Sequence, residues 1–214
     1  AALVAVGLAR FTGLHAGDAA GIVVLFGTTY GLERGMVEVY KTFLREADQS
    51  KYTIPMQFSV GGEVVESRAV RLGAGALYVA GVVAVLYGTW WLQRNGPALG
   101  TVGTALAVGS LGGWISAFGG AWKDAPVEGF HLLKFFRSPF LAFLFGLLMA
   151  SLTDLYPAIF LGALGYTVAT TETWKTFSDP SKDRGKFMDQ TPSHPEMMER
   201  RWRFVPVYVA VWMG

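Results

Sequence analysis

The stretch Leu72–Leu92 reads LGAGALYVAGVVAVLYGTWWL and carries no charged residue. A helix that crosses a bilayer needs about 20 mostly apolar residues. This run meets that length and lacks the polar stripe that a helix on a soluble protein keeps for water. Working outward, Pro97–Trp122 is a second uncharged run. Phe140–Leu152 and Leu155–Thr171 are shorter and are expected to join near Thr153-Asp154, with Pro139 and Pro157 in their first turns, where a missing N–H costs nothing. Ala19–Leu32 is apolar and extends back toward His15, Val205 opens a further apolar run, and the first nine residues read as the end of a helix. The expectation is an all-α polytopic membrane protein, a helical bundle of about five to six spans, forming a single membrane domain over residues 1–214.

Composition agrees. Of the 214 residues 52% are hydrophobic and only 16% are charged, well under the roughly 25% usual for soluble domains. The 27 glycines suit helices that pack backbone to backbone. Gly109, Gly113 and Ala117 form one row of small residues, and Gly112, Ser116 and Gly120 form another. A net charge of +2 gives no sign of a nucleic-acid partner. The chain has no cysteine, which excludes disulfides, thiolate metal sites and a cysteine nucleophile.

The connecting segments divide by charge. Residues 33–71, 123–138 and 172–203 hold every Lys and Arg except Arg10 and Arg94. Basic residues mark the cytoplasmic side, so these three loops are expected there, with the chain an integral, multi-pass membrane protein. Strict alternation of the spans assigns the same side to all three. The central parts of the spans carry no Asp, Glu, Lys, Arg or His, which argues against a proton relay or a charged-substrate path.

Two short phrases echo each other: EVYKTF at residues 38–43 and ETWKTF at residues 172–177. Tyr40-Lys41, Trp122-Lys123, Trp174-Lys175 and Trp202-Arg203 each place a cation directly after an aromatic ring. Rings favour the headgroup level, and long cations snorkel to lipid phosphate. Tyr40, Trp122, Trp174 and Trp202 are therefore read as interface anchors, with Lys41 and Lys175 on anionic headgroups. A weak internal repeat, with Glu38 and Glu172 as equivalent positions, is the alternative.

Tyr52–Val60 alternates apolar with polar residues and is followed by Gly61-Gly62 and EVVESRAV, which predicts a small β-hairpin with Pro55 on its unpaired side. Ser193–Glu196 matches a helix-start capping box, and the segment after it reads as an interfacial helix.

The segment WKDAPVEGFHLLKFFRSP gathers the most chemistry. Asp124, Glu128 and His131 are spaced to share one helical face, with Asp124 and Pro126 expected at a helix start. Glu128 and His131 also have the E-x-x-H spacing of carboxylate metal bundles, but a single such pair does not make a metal site. Lys123, Lys134 and Arg137 are candidates to hold a phosphate. Nothing in the sequence assigns a cofactor.

Three functions are compatible with this pattern. The first is a non-catalytic membrane subunit or scaffold that packs against other membrane chains, or a second copy of itself, and against anionic lipid. The second is a membrane enzyme acting on a phosphorylated lipid or prenyl substrate, with Asp124, Glu128 and His131 as acid, base or ion-holding groups. The third is a channel or carrier with duplicated halves.

Overall fold

The computed structural model describes residues 1–177 and 195–213. It is a bundle of helices with one small sheet: α1 Ala2–Thr12, α2 Ala19–Val39, β1 Ser59–Val60, β2 Glu63–Val64, α3 Arg68–Asn95, α4 Gly100–Thr104, α5 Leu111–Glu128, α6 Leu132–Leu152, α7 Tyr156–Phe177, α8 Pro195–Arg200 and α9 Val205–Met213. Among the described residues three stretches are long and apolar enough to cross a membrane: Arg68–Asn95, Gly100–Glu128 and Leu132–Leu152.

Helix α2 starts at Asp18, whose carboxylate accepts from the Gly21 amide, so it does not reach back to His15. It runs past Leu32 and ends in a π-helical turn, Tyr40–Leu44, closed by the Arg45 amide on the Tyr40 carbonyl. Glu33, Arg34 and Glu38, expected in a loop, therefore lie on the helix. A second π turn, Ala105–Gly109, joins α4 to α5.

Packing is built on glycine. Helices α2 and α7 run parallel, Gly27 beside Gly162 and Gly31 beside Gly165. A Cβ on Gly31 would overlap the Leu161 carbonyl oxygen, and one on Gly165 would overlap the Gly27 carbonyl oxygen. The backbones touch because no side chain separates them. Helices α5 and α6 run antiparallel. A Cβ on Gly109 would lie 2.6 Å from the Gly146 Cα, and one on Gly113 would lie 2.6 Å from the Ala142 Cβ. The row Gly109, Gly113 and Ala117 is thus buried as a unit. In the second row Gly112 meets Leu164 closely, while Gly120 faces open space.

Met149, Phe160, Ile159, Val24 and Val108 form the centre of the core. Helix α7 runs through it and buries nine residues. Buried hydroxyls on this helix pair turn back on their own backbone, Thr28 to the Val24 carbonyl and Thr167 to the Ala163 carbonyl. The break after α6 falls at Thr153–Leu155, as expected. There Gln93 of α3 accepts from the Tyr156 amide at 3.0 Å and satisfies the start of α7. Pro157 lies in that first turn, whereas Pro139 lies inside α6, which begins seven residues earlier at Leu132.

The hairpin turns on Gly61 and Gly62, both at positive φ, but pairs only Ser59 with Val64 and Val60 with Glu63. The expected strand over Tyr52–Phe58 does not form. The side chain of Gln49 accepts from the Met56 and Gln57 amides, taking the donors a strand partner would use, and Gln57 is buried against the alternation. The expected capping residue Ser193 lies outside the described residues, and α8 begins at Pro195.

Gly165→Ala is predicted to destabilise the bundle by about 1–3 kcal/mol, because its methyl meets backbone that must move. Gly81→Ala, on the open face of α3, is predicted to be neutral or to gain up to about 1 kcal/mol in helix propensity. Reversible unfolding of both variants in mild detergent checks the contrast.

Candidate functional site

The helix directions bring the Arg45–Ser67 segment, the α5–α6 corner and the ends of α2 and α7 to one pole of the bundle. The indole of Trp122 donates to the Ser59 carbonyl at 2.8 Å, and Lys123 Nζ lies 3.7 Å from Met56 Sδ. The corner and the hairpin are thereby one surface. Among the described residues, every Lys and Arg except Arg10 and Arg94 belongs to the segments that meet there or to the ends of the helices beside them. At the other pole, where His15 and Asp18 approach Thr153, Arg94 stacks on Trp90 at 4.6 Å.

Asp124 and Glu128 share a face, but at the end of α5 rather than at a helix start. Pro126 lies within that last turn. The C-terminal end of a helix dipole repels carboxylates. Lys134 offsets this by reaching across the corner, 2.9 Å from Asp124 Oδ2 and 2.7 Å from Glu128 Oε2. Gly129 turns the corner at φ 82, a value that strains any residue with a Cβ. His131 is the residue just before α6. It is exposed and stands outside the three-residue ion cluster. Among the described residues no group of three or more His, Asp or Glu is placed to hold a metal ion.

The cations read as a phosphate clamp have different immediate neighbours. Lys134 is engaged by two carboxylates, Lys123 faces Met56, and Arg137 is exposed on the next turn of α6. Lys41 pairs with Glu38 and Lys175 with Glu172, each within its own helix. The two KTF phrases therefore share one local device, a Glu and a Lys three residues apart at a helix end. Their surroundings differ. Phe43 is buried beneath Gly75 and against Phe58 and Tyr78, while Phe177 packs on Trp202 and Tyr208. The rings of Tyr40, Trp122, Trp174 and Trp202 are all exposed, between 47% and 69%, at this same pole.

One residue that holds the pole together had no sequence signature. Arg71 is only 3% exposed. Its guanidinium donates to the Val65 and Glu66 carbonyls and to Glu46 Oε1 at 2.5 Å. It ties the segment on both sides of the hairpin to the first turns of α3. The only hint was its place as the last cation before the uncharged run. Nearby, the Ser50 hydroxyl and amide both donate to Asp48 and hold its carboxyl below the usual range, closing the turn after α2.

No known protein family matches the chain, and neither does any curated protein or solved structure.

Arg71→Met is predicted to cost about 2 kcal/mol, the scale of lost hydrogen bonds from a charged donor. It should also open residues 46–66 to limited proteolysis. Arg68→Gln should leave stability within about 0.5 kcal/mol, since Arg68 is 74% exposed and 4.0 Å from Glu46.

Proposed function

We propose that the chain is a non-catalytic integral membrane subunit or scaffold, with its basic pole toward the cytoplasm. The observation that carries this is the surface of α3. Only 11% of its apolar window is buried against the rest of the chain, compared with 44% for Gly100–Glu128. Leu77, Val83, Tyr87 and Trp91 are each at least half exposed along it. An apolar helix this long and this uncovered needs lipid or another membrane chain over it. Helix α6 adds a second such face, with Phe136, Phe140, Leu144 and Leu148 exposed at four-residue intervals.

In this reading α2 and α7 also cross the bilayer, shielded by the outer helices, giving five spans with alternating direction. The polar ends of α2 and α7 then emerge at headgroup level among Tyr40, Trp174 and their neighbours. The ion cluster at the α5–α6 corner has a structural role. Asp124 and Glu128 are held by Lys134, which supports a scaffold over an enzyme that needs these carboxylates as base or ion ligands.

The full chain and a Glu128→Gln, His131→Ala double variant, each purified from the native membrane in mild detergent, test this. Both are predicted to retain the same stoichiometric membrane partners. A solitary particle whose lipid-directed activity disappears in the double variant would overturn the proposal. Because the chain lacks cysteine, orientation is checked without background. Glu63→Cys should react only from the cytoplasmic side and Asp154→Cys only from the opposite side.

A further inference from the structure

A lateral groove of about 550 Å³ opens between the end of α2 and the first half of α3. Val39, Phe43 and Leu44 form one wall, and Leu72, Ala76 and Val83 belong to the other. Its volume falls within the roughly 300–1,000 Å³ of ligand sites, and its lining is apolar. The groove exists because Gly75 lets the Phe43 ring sit against the α3 backbone. A Cβ there would come within 2.9 Å of the ring.

Three features specify its occupant. From Leu72 to Val83 the groove follows twelve residues of α3, a rise of about 16 Å at 1.5 Å per residue. That matches one leaflet, half of a hydrocarbon core about 30 Å thick. Its upper end coincides with the basic pole. Arg68 stands four residues before Leu72 on the same face of α3, with its side chain 74% exposed. The carboxylate nearest to it, Glu46, already binds Arg71 at 2.5 Å and lies 4.0 Å from Arg68. Arg68 is thus a lightly engaged cation one turn above an apolar slot one leaflet deep. A guanidinium in that position suits a phosphate.

We propose that this groove holds one acyl chain of an anionic phospholipid from the leaflet on the basic side, with the lipid phosphate on Arg68. The inference rests on the chain being membrane-integral. A lipid fits better than a partner helix, because the groove stops at mid-bilayer and has a cation at its mouth.

The test uses the full chain in phosphatidylcholine nanodiscs doped with an acyl-diazirine probe carrying either a phosphatidylglycerol or a phosphatidylcholine headgroup. Adducts are mapped by mass spectrometry. The anionic probe should label the groove about fivefold more than the zwitterionic one, the effect of a single basic residue near an anionic headgroup. Arg68→Gln should remove that preference. Ala80→Trp, which fills the slot from an exposed lining position, should abolish groove adducts and leave those on Phe140 and Leu144 unchanged. Equal labelling by the two probes would overturn the headgroup assignment. Adducts on α6 with none in the groove would overturn the lipid occupant in favour of a partner helix. Absence of adducts on both α3 and α6 would instead overturn the membrane reading itself.

Discussion

Direct backbone contact between α2 and α7 is the constraint on which the rest of the bundle depends. Gly27, Gly31 and Gly165 let two parallel helices touch where a Cβ would meet a carbonyl oxygen, an amide or a ring, and the Cα of Gly162 lies against Gly27. Because the pair is parallel, the chain between them must reverse direction an even number of times. Helices α3, α5 and α6 lie between them and make four reversals. This places the 45–67 segment, the α5–α6 corner and the end of α7 at one pole, where the Trp122–Ser59 bond and the Lys123–Met56 contact join the first two. The charge asymmetry of the chain thus has a packing counterpart.

The same tight pairing decides what remains outside. With α7 surrounded by α2, α5 and α6, α3 touches the bundle along one narrow edge, at Gly75, Thr89 and Gln93. Most of its apolar surface is left uncovered. The exposed face that supports membrane insertion, and the groove beneath Arg68, are both consequences of glycine-mediated closeness elsewhere. The pole is kept compact by polar devices rather than by apolar packing alone. Arg71 pins the hairpin segment, Gln49 supplies acceptors to the Met56 and Gln57 amides, and Lys134 bridges the α5–α6 corner.

Much of the architecture was legible in the sequence. The uncharged runs located α3, α5 and α6, the Gly61-Gly62 pair located the hairpin turn, and Thr153-Asp154 located the break before α7. Helix ends were less legible, because charged residues occur both in loops and on the last turns of helices. Glu33, Arg34 and Glu38 lie on α2, which runs to Val39 and closes only in the π turn at Tyr40–Leu44. Lys123–Glu128 stays helical until Gly129 turns the chain. The strand expected at Tyr52–Phe58 was overridden by one side chain, Gln49, whose contribution comes from the fold rather than from local pattern. The Gly27–Gly31 spacing was visible but carried no mark of its partner, since nothing local pairs it with Gly162–Gly165 more than 130 residues away. Of the candidate site, Asp124 and Glu128 do share a face, but Lys134 rather than His131 completes their cluster.

The parallel α2–α7 pair is tested most directly by distances between spin labels on paired cysteines, in a chain that has none of its own. Labels at Ala19 and Asp154 should lie close together, near enough to broaden each other's spectra. Labels at Ala19 and Thr176 should be separated by about 30 Å, the length of α7 at 1.5 Å per residue. The reverse pattern, with Ala19 near Thr176 and far from Asp154, would make the pair antiparallel and contradict the account.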